Sequence, residues 1–402
     1  MTRAAAALAA LLSYAILTIW IGQRWAWGLA QCAVFVFVAV WAAGQWRNPS
    51  PVHGSLWLAP LVAAPVWGLL QLAAQRTVYR WGTANAVLNW ATWLALFFLA
   101  LQLFQQSAAW HWFLSFAVYF GAALAVLSTL QNFTSEGKIF WLFPSGFTVD
   151  VLGPFVNRNE FAAFLEMILP IAMWQALCDR RRAVANYAFA GAMLASIVAS
   201  ASRTGSVLAC MEVAAVLLLA WRFRLAPTGT VARGLAVFAV MAVLFIAVAG
   251  WQALRQRLWQ VDPFAGRREL AAASLAMLHD RPAMGFGLGN WARAYPHYAI
   301  FDDGTYVNQA HDDWLQWAVE GGVPFFLILL SLAAMAVPAA LNSIWGIGLL
   351  SVWLHCLVDY PLQQRPAIGA WFFVLLGALA ASRSRDRDAS TGSNRAAPRS
   401  RQ

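Results

Sequence analysis

Long apolar runs recur along the chain, starting near Ala4, Ala26, Leu56, Ala84, Trp112, Phe161, Val184, Gly205, Gly234, Trp314, Ile344 and Ile368. A helix of about 18 residues or more is long enough to cross a hydrocarbon core about 30 Å thick. In lipid the helix satisfies its own backbone, so the pattern predicts an all-α polytopic membrane protein with about twelve transmembrane helices. The fourth run is the least regular, because Trp81 to Asn89 is mixed in character. One long polar interruption, Trp251 to Glu320, separates the ninth run from the tenth. Within it, Arg267 to Leu278 places Leu270, Ala273, Leu275, Met277 and Leu278 at the spacing of an amphipathic helix. Asp280-Arg281-Pro282 stops that helix, since proline has no N–H to continue it. The expected organisation is one transmembrane unit, 1–382, with 254–312 as a helical segment outside the bilayer carrying part of any site. The Ser-, Arg- and Asp-rich 383–402 is expected to be a disordered tail.

Composition agrees: 61% of the 402 residues are hydrophobic and 11% charged. The net charge of +10 is carried mainly by arginine in short loops and the tail, with Lys138 the lone lysine. That placement reports topology and gives no reason to expect a nucleic-acid partner. The basic tail and the basic loops 179–182 and 221–233 all fall on one side if twelve spans are counted, which predicts both termini in the cytoplasm. Met1-Thr2-Arg3 and the run behind it lack a clear cleavage site and read as the first span. Cys32, Cys178, Cys210 and Cys356 lie in or beside apolar runs with no CxxC pair, so buried thiols are expected.

The same topology puts the chain's unusual polar residues on the opposite face. His311 stands where the polar segment turns into a span, with Asp312 and Asp313 in the first turn, where acidic groups suit the helix dipole. A lone interfacial histidine is most simply a group bonded to a carbonyl, but this one shares its face with Arg158, Arg203 and Arg268. A guanidinium at a membrane edge either snorkels outward or, being planar and always charged, forks onto phosphate oxygens. Glu166 and Glu212 lie within spans, about 12–13 Å from the outer edge at 1.5 Å per residue. Groups at that depth face the bundle interior, and either pair with the arginines above them or line an ion path. The pairs Asp302-Asp303 and Asp312-Asp313 are more readily solvated or helix-start residues than ligands of a divalent ion. Gly285-Phe286-Gly287-Leu288-Gly289-Asn290 superficially suggests dinucleotide binding, but no strand precedes it, and a close-packing turn is the expectation.

The order Asn157-Arg158-Asn159-Glu160-Phe161, Ser202-Arg203-Thr204-Gly205, Gly266-Arg267-Arg268, Arg281-Pro282 with the glycine-rich turn, and Ala310-His311-Asp312-Asp313-Trp314-Leu315-Gln316 before Glu320-Gly321-Gly322 resembles the O-antigen ligase family. His355-Cys356-Leu357-Val358-Asp359 adds to it, so the resemblance covers roughly Asn157 to Pro366. Its superfamily also holds O-antigen polymerases and protein O-oligosaccharyltransferases. The resemblance implies a metal-independent, cofactor-free transfer of glycan from undecaprenyl diphosphate, at the periplasmic face of a bacterial inner membrane. It implies that His311 is the catalytic base, that Arg203 and Arg268 bind the diphosphate with Arg158 helping to position it, and that Asp312, Asp359 and Glu166 support the site. The acceptor is a polysaccharide, a lipid A core or a protein hydroxyl, and membrane lipids are the other partners. The family histidine is commonly followed by Asn or Ser, where Asp312 stands here. The chemistry fits: preorganised guanidiniums stabilise a diphosphate leaving group, and a histidine with a pKa near 6.5 takes the acceptor proton. The competing reading is a transporter of a small anion such as bicarbonate. That class favours a broken-helix site at mid-bilayer and internal repeats, and no repeat is evident.

Overall fold

A computed structural model describes residues 2–146, 151–225, 265–300 and 306–395, with isolated positions between 229 and 259 and Gly304. The chain opens with α1 (Thr2–Leu17), α2 (Arg24–Arg47), α3 (Leu58–Ala73), α4 (Arg80–Leu103) and α5 (Ser107–Thr134). A small antiparallel hairpin, β1 (Lys138–Ile139) with β2 (Phe143–Pro144), sits in the following loop. Next come α6 (Arg158–Glu166), α7 (Leu169–Cys178), α8 (Ala183–Ala199) and α9 (Arg203–Arg222). After residue 264 follow α10 (Ala265–Asp280), α11 (Trp291–Ala294), a 3-10 turn Tyr295–His297, α12 (Asp313–Ser343), α13 (Ile347–His355), α14 (Pro361–Gln364) and α15 (Pro366–Arg395).

Among the described residues seven helical stretches are long and apolar enough to cross a membrane, α6 and α7 counting as one interrupted stretch. Arg3–Leu17, Leu58–Ala73 and Ala183–Ala199 are shorter apolar helices. The helices begin within a few residues of the apolar runs, and the ninth expected span, from Gly234, lies outside the described residues. Two expectations change. The run from Ile344 forms only the nine-residue α13, about 13 Å long and too short to cross alone. Its polar end, His355 to Asp359, turns back into the protein instead of leaving it. The second change concerns thiols: Cys356 is buried, but Cys32, Cys178 and Cys210 are exposed, because a helix apolar all round offers one face to lipid. At the far end α15 runs to Arg395, and 396–402 lie outside the described residues.

Packing places α15 and the α6–α7 stretch deepest and α2 at the rim. α15 packs on α4, α4 on α3, and α13 on α9 and α6. The polar segment has a small core of its own, with Leu270, Met277, Phe286, Trp291 and Tyr295 closing on Ala310 and on Val319 of α12. It is a cap fastened to the bundle, and the fastening is a break in α12. Gly322 has φ 74° and ψ 178°, a region that glycine alone occupies readily. The break frees carbonyls of the preceding turn. Phe286 N–H donates to Val319 O at 3.2 Å and Gly287 N–H to Glu320 O at 2.9 Å. Trp67 Nε1 reaches Gly321 O at 2.8 Å and Gln71 Nε2 reaches Glu320 O at 2.9 Å. The glycine-rich turn is therefore the close-packing turn the sequence suggested.

A Cβ at residue 322 would lie 2.7 Å from Pro282 O. Gly322→Ala is expected to cost about 1–3 kcal/mol from backbone strain alone, read as a lower melting temperature in detergent. A melt unchanged from the parent would show that the break is not fixed by this residue.

Candidate functional site

The break cuts α12 into a short leading piece and a long span, and the leading piece presents its N-terminus to the loop after α13. Asp312 caps it, accepting from Leu315 N–H at 2.9 Å, as short acidic side chains do at helix starts. Asp313 holds the loop: it accepts from Leu362 N–H at 3.0 Å and Gln363 N–H at 3.3 Å, and its own N–H donates to Cys356 O at 2.8 Å. Both carboxylates are thus occupied by backbone donors, as the helix-start reading of this pair required. The other pair, Asp302-Asp303, lies outside the described residues, and no cluster with metal-ligand character occurs among the described residues.

The loop so held delivers Asp359, which is 2% exposed. Three other segments and the next amide of its own loop meet on its carboxylate. His311 Nδ1 lies 3.7 Å from Oδ1, and Arg267 Nη2 lies 3.4 Å from Oδ2. Asn159 Nδ2 donates to Oδ2 in a short contact, and Tyr360 N–H donates to Oδ1 at 3.0 Å. Asn159 passes the connection on, since its Oδ1 accepts from Ser202 Oγ at 2.8 Å. Ser202 is the N-cap of α9, accepting from Gly205 N–H at 3.2 Å, and Arg203 follows it. Asn157 caps α6 through Asn159 N–H at 2.9 Å, and Arg158 is the first residue of that helix. A Cβ on Gly205 would lie 2.4 Å from Ala162 Cβ, so glycine there lets α9 approach α6 closely enough for the Ser202–Asn159 bond.

His311 itself has φ 57°, a left-handed conformation that non-glycine residues seldom adopt and that gathers at functional sites. Its ring meets Tyr360 edge-on at 4.6 Å. Burial pushes the Asp359 carboxyl up, but the facing His311 ring and the positive charges of His355 and Arg267 outweigh it and hold the group below the ordinary carboxylate range. Asp312 shows the reverse: burial lifts it to about 6, against the opposing N–H groups of Leu315 and Trp314.

Of the residues singled out in the sequence, the structure gathers His311 and Asp359 directly, and places Arg158 and Arg203 at the two helix starts joined by Asn159 and Ser202. Arg268 is exposed on α10, and its neighbour Arg267 is the one turned toward Asp359. Helical rotation separates the two by about 100°, which a run of two arginines cannot reveal. Glu166 lies deeper and pairs with His355, and with no arginine among the described residues, Nδ1 to Oε1 at 2.9 Å with both side chains fully buried. Asn159, Ser202 and His355 lie within the family-like motifs, but nothing in the sequence assigns them a role. The signal available was their adjacency to Arg158, Arg203 and Asp359.

A family model described as O-antigen ligase matches residues 188–330. That stretch holds Arg203, Arg267, Arg268 and His311, while Asn159, Glu166, His355 and Asp359 stand outside it. No curated protein matches the chain.

Two pH effects of opposite sign follow. Asp359 has a folded value below its unfolded one of about 3.9. Its contribution is present above about pH 4 and lost as pH falls through the folded value. Asp312 is raised to about 6 in the folded chain, so its favourable contribution is full below about pH 4 and lost as pH rises through 6. Thermal unfolding in detergent should therefore show Asp359→Asn less stable than the parent at pH 7, with the gap closing toward pH 3. Asp312→Asn, which keeps a good cap, should match or exceed the parent at pH 7. Removing the partner of a buried charge is a separate matter: Glu166→Ala should cost about 3–5 kcal/mol, and Glu166→Gln, which retains an acceptor for His355, should cost less. Equal melts for the two would rule out the pairing.

Proposed function

We propose that this chain, which carries an O-antigen ligase family domain across residues 188–330, is a membrane glycosyltransferase that moves a glycan from a lipid diphosphate to an acceptor hydroxyl. The single observation carrying the reading is the meeting of His311, Arg267 and the Asn159–Ser202 connection on the buried carboxylate of Asp359. It ties a candidate base to the two helix starts that bear Arg158 and Arg203.

The chemistry would proceed as a displacement at the sugar's anomeric carbon. The acceptor oxygen forms a bond to that carbon as the bond to the diphosphate oxygen breaks, and the electron pair leaves with the diphosphate. His311 Nε2 accepts the hydroxyl proton while Nδ1 faces Asp359, which orients the ring and stabilises the imidazolium that forms. Arg203, Arg268 and Arg158 are the candidates for the diphosphate. Arg203 and Arg158 stand at the first turns of α9 and α6, where the helix dipole adds to their charge. Arg267, engaged with Asp359, acts on the base and not on the donor. Asp312 supports the site by fixing the start of α12, and Glu166 by holding His355 four residues before Asp359. Arginine placement in the loops supports a periplasmic site in a bacterial inner membrane, with undecaprenyl diphosphate as the carrier.

Purified protein given a lipid-diphosphate glycan and candidate acceptors tests the proposal. His311→Ala is expected to slow transfer by about 10²–10⁴-fold, and Arg203→Ala to weaken use of the donor. If both variants remain folded and transfer at the parental rate, the assignment is wrong. Solute uptake abolished by Glu166→Gln and Glu212→Gln but indifferent to His311→Ala would favour the transport reading instead.

A further inference from the structure

Beside the His311 loop a cavity of about 290 Å³ opens between α4, α11, the start of α12 and α14. Ligand sites of this kind run from about 300 to 1,000 Å³, so this one suits a single small ring system. Its polar lining is unusual for a pocket in an apolar bundle: Asn85, Asn308, Gln309, Gln316 and Gln363 all contribute carboxamides. Trp90, Trp93 and Trp317 form an apolar wall, made rigid by Trp90 meeting Trp93 at 4.9 Å and Trp317 at 5.8 Å. No cation lines the cavity among the described residues. The one ionisable group is Glu320, and its oxygens are already taken by Gly289 N–H at 2.8 Å and Trp291 N–H at 3.1 Å.

Several of the amides hold one another. Gln316 Nε2 donates to Gln363 Oε1 at 2.6 Å, and Gln309 Nε2 to Gln364 Oε1 at 2.5 Å. Two atoms are left over: Gln309 Oε1, an acceptor, and Gln363 Nε2, a donor, have no hydrogen-bond partner among the described residues. Both atoms are buried, and a hydroxyl, which both donates and accepts, is a neutral group that matches an acceptor and a donor alike. A phosphate or carboxylate only accepts, and within this cavity would lie near Glu320 with no cation among the described lining residues to offset it, Arg24 and Arg365 belonging to the adjoining cavity.

The cavity is also placed for the reaction. Gln309 stands two residues before His311, so their Cα atoms are within about 7 Å. Gln316 Oε1 accepts from Ala310 N–H at 2.9 Å, tying the cavity wall to the residue that precedes His311. α6 and α9, which carry Arg158 and Arg203, contribute nothing to the described lining. An adjoining cavity shares Asn85 and Asn89 and gives room for a following residue of a chain.

We infer that this cavity is the acceptor subsite and that it takes a neutral, hydroxyl-rich sugar residue, not a phosphorylated one. The assignment rests on the transfer reading above and specifies its acceptor. Neutral and anionic oligosaccharides released from the host's own envelope, separated by charge, serve as probes for the full-length protein in detergent. Saturation-transfer NMR is expected to show the neutral fraction bound to the parent and equally to His311→Ala. Binding should weaken by about tenfold or more, roughly 1.4 kcal/mol, in Asn85→Ala/Asn308→Ala. In the transfer assay the same double variant should raise the acceptor KM by about that factor and leave the donor KM unchanged. Asn308→Ala alone, at an exposed loop position, gives a smaller shift in the same direction if the double variant is poorly folded. Binding unaltered by these substitutions, or binding of the anionic fraction alone, overturns the subsite. The two readings fail separately. Neutral binding lost in the double variant, with no transfer by the parent, sinks the reaction and leaves the subsite. Transfer that depends on His311 with an unchanged acceptor KM in the double variant sinks the subsite alone.

Discussion

The break in α12 at Gly322 is the constraint from which the rest of the site follows. A continuous helix would have bonded its own carbonyls and offered nothing to the cap. With the ladder interrupted, the carbonyls of Val319, Glu320 and Gly321 bind the glycine-rich turn, Gln71 and Trp67. The leading piece of α12 is thereby fixed at both ends, by the cap behind it and by Asp312 and Asp313 in front. Glu320 reinforces this from within the same turn, its side chain accepting from Gly289 and Trp291.

A fixed leading piece then fixes Asp359. Asp313 grips the loop after α13, and that loop projects Asp359 to where α6, α9, α10 and the His311 loop converge. A buried carboxylate is expensive unless it is paired and hydrogen-bonded, and here it has Asn159, Arg267, His311 and the Tyr360 amide around it. Its cost of burial is what makes it an organiser, because the charged group is stable there only with partners gathered around it. The arrangement resembles in role, not in fold, a base oriented by a carboxylate. The left-handed backbone of His311 fits the same account, strain held by over-determined surroundings.

Charged groups in this chain separate by depth. At the helix starts they converge on Asp359, with His311 and Arg267 partly open to solvent, as the proposed reaction with a diphosphate would require. Deeper in, Glu166 and His355 pair through Nδ1 in full burial, which suits a structural pair joining α6 to α13. The amide-rich cavity beside the His311 loop is lined mainly by carboxamides and tryptophans, with Glu320 its one ionisable group among the described residues.

The sequence by itself determined the class of the protein. Apolar runs of spanning length have no other stable solution, so the helical membrane bundle and the starts of its described helices were legible from hydropathy alone. The kinship of His311, Arg158 and Arg203 was suggested by basic-loop placement and by an order resembling a family pattern. The structure links the two helix starts bearing the arginines to His311 through Asn159 and Asp359. The close packing of the glycine turn could be read from the missing strand. Which arginine of the Arg267-Arg268 pair turns inward could not be read, since that depends on the rotation of α10 against the loop. Nor could the partner of Glu166: His355 is 189 residues away, and only the return of a helix too short to cross brings it there. The exposure of three cysteines was hidden for a related reason, because a helix apolar on every side does not announce which face meets lipid. Tertiary structure decided those points, for hydrophobicity places a helix in the membrane, while long-range hydrogen bonds and ion pairs set how it is turned and what it meets.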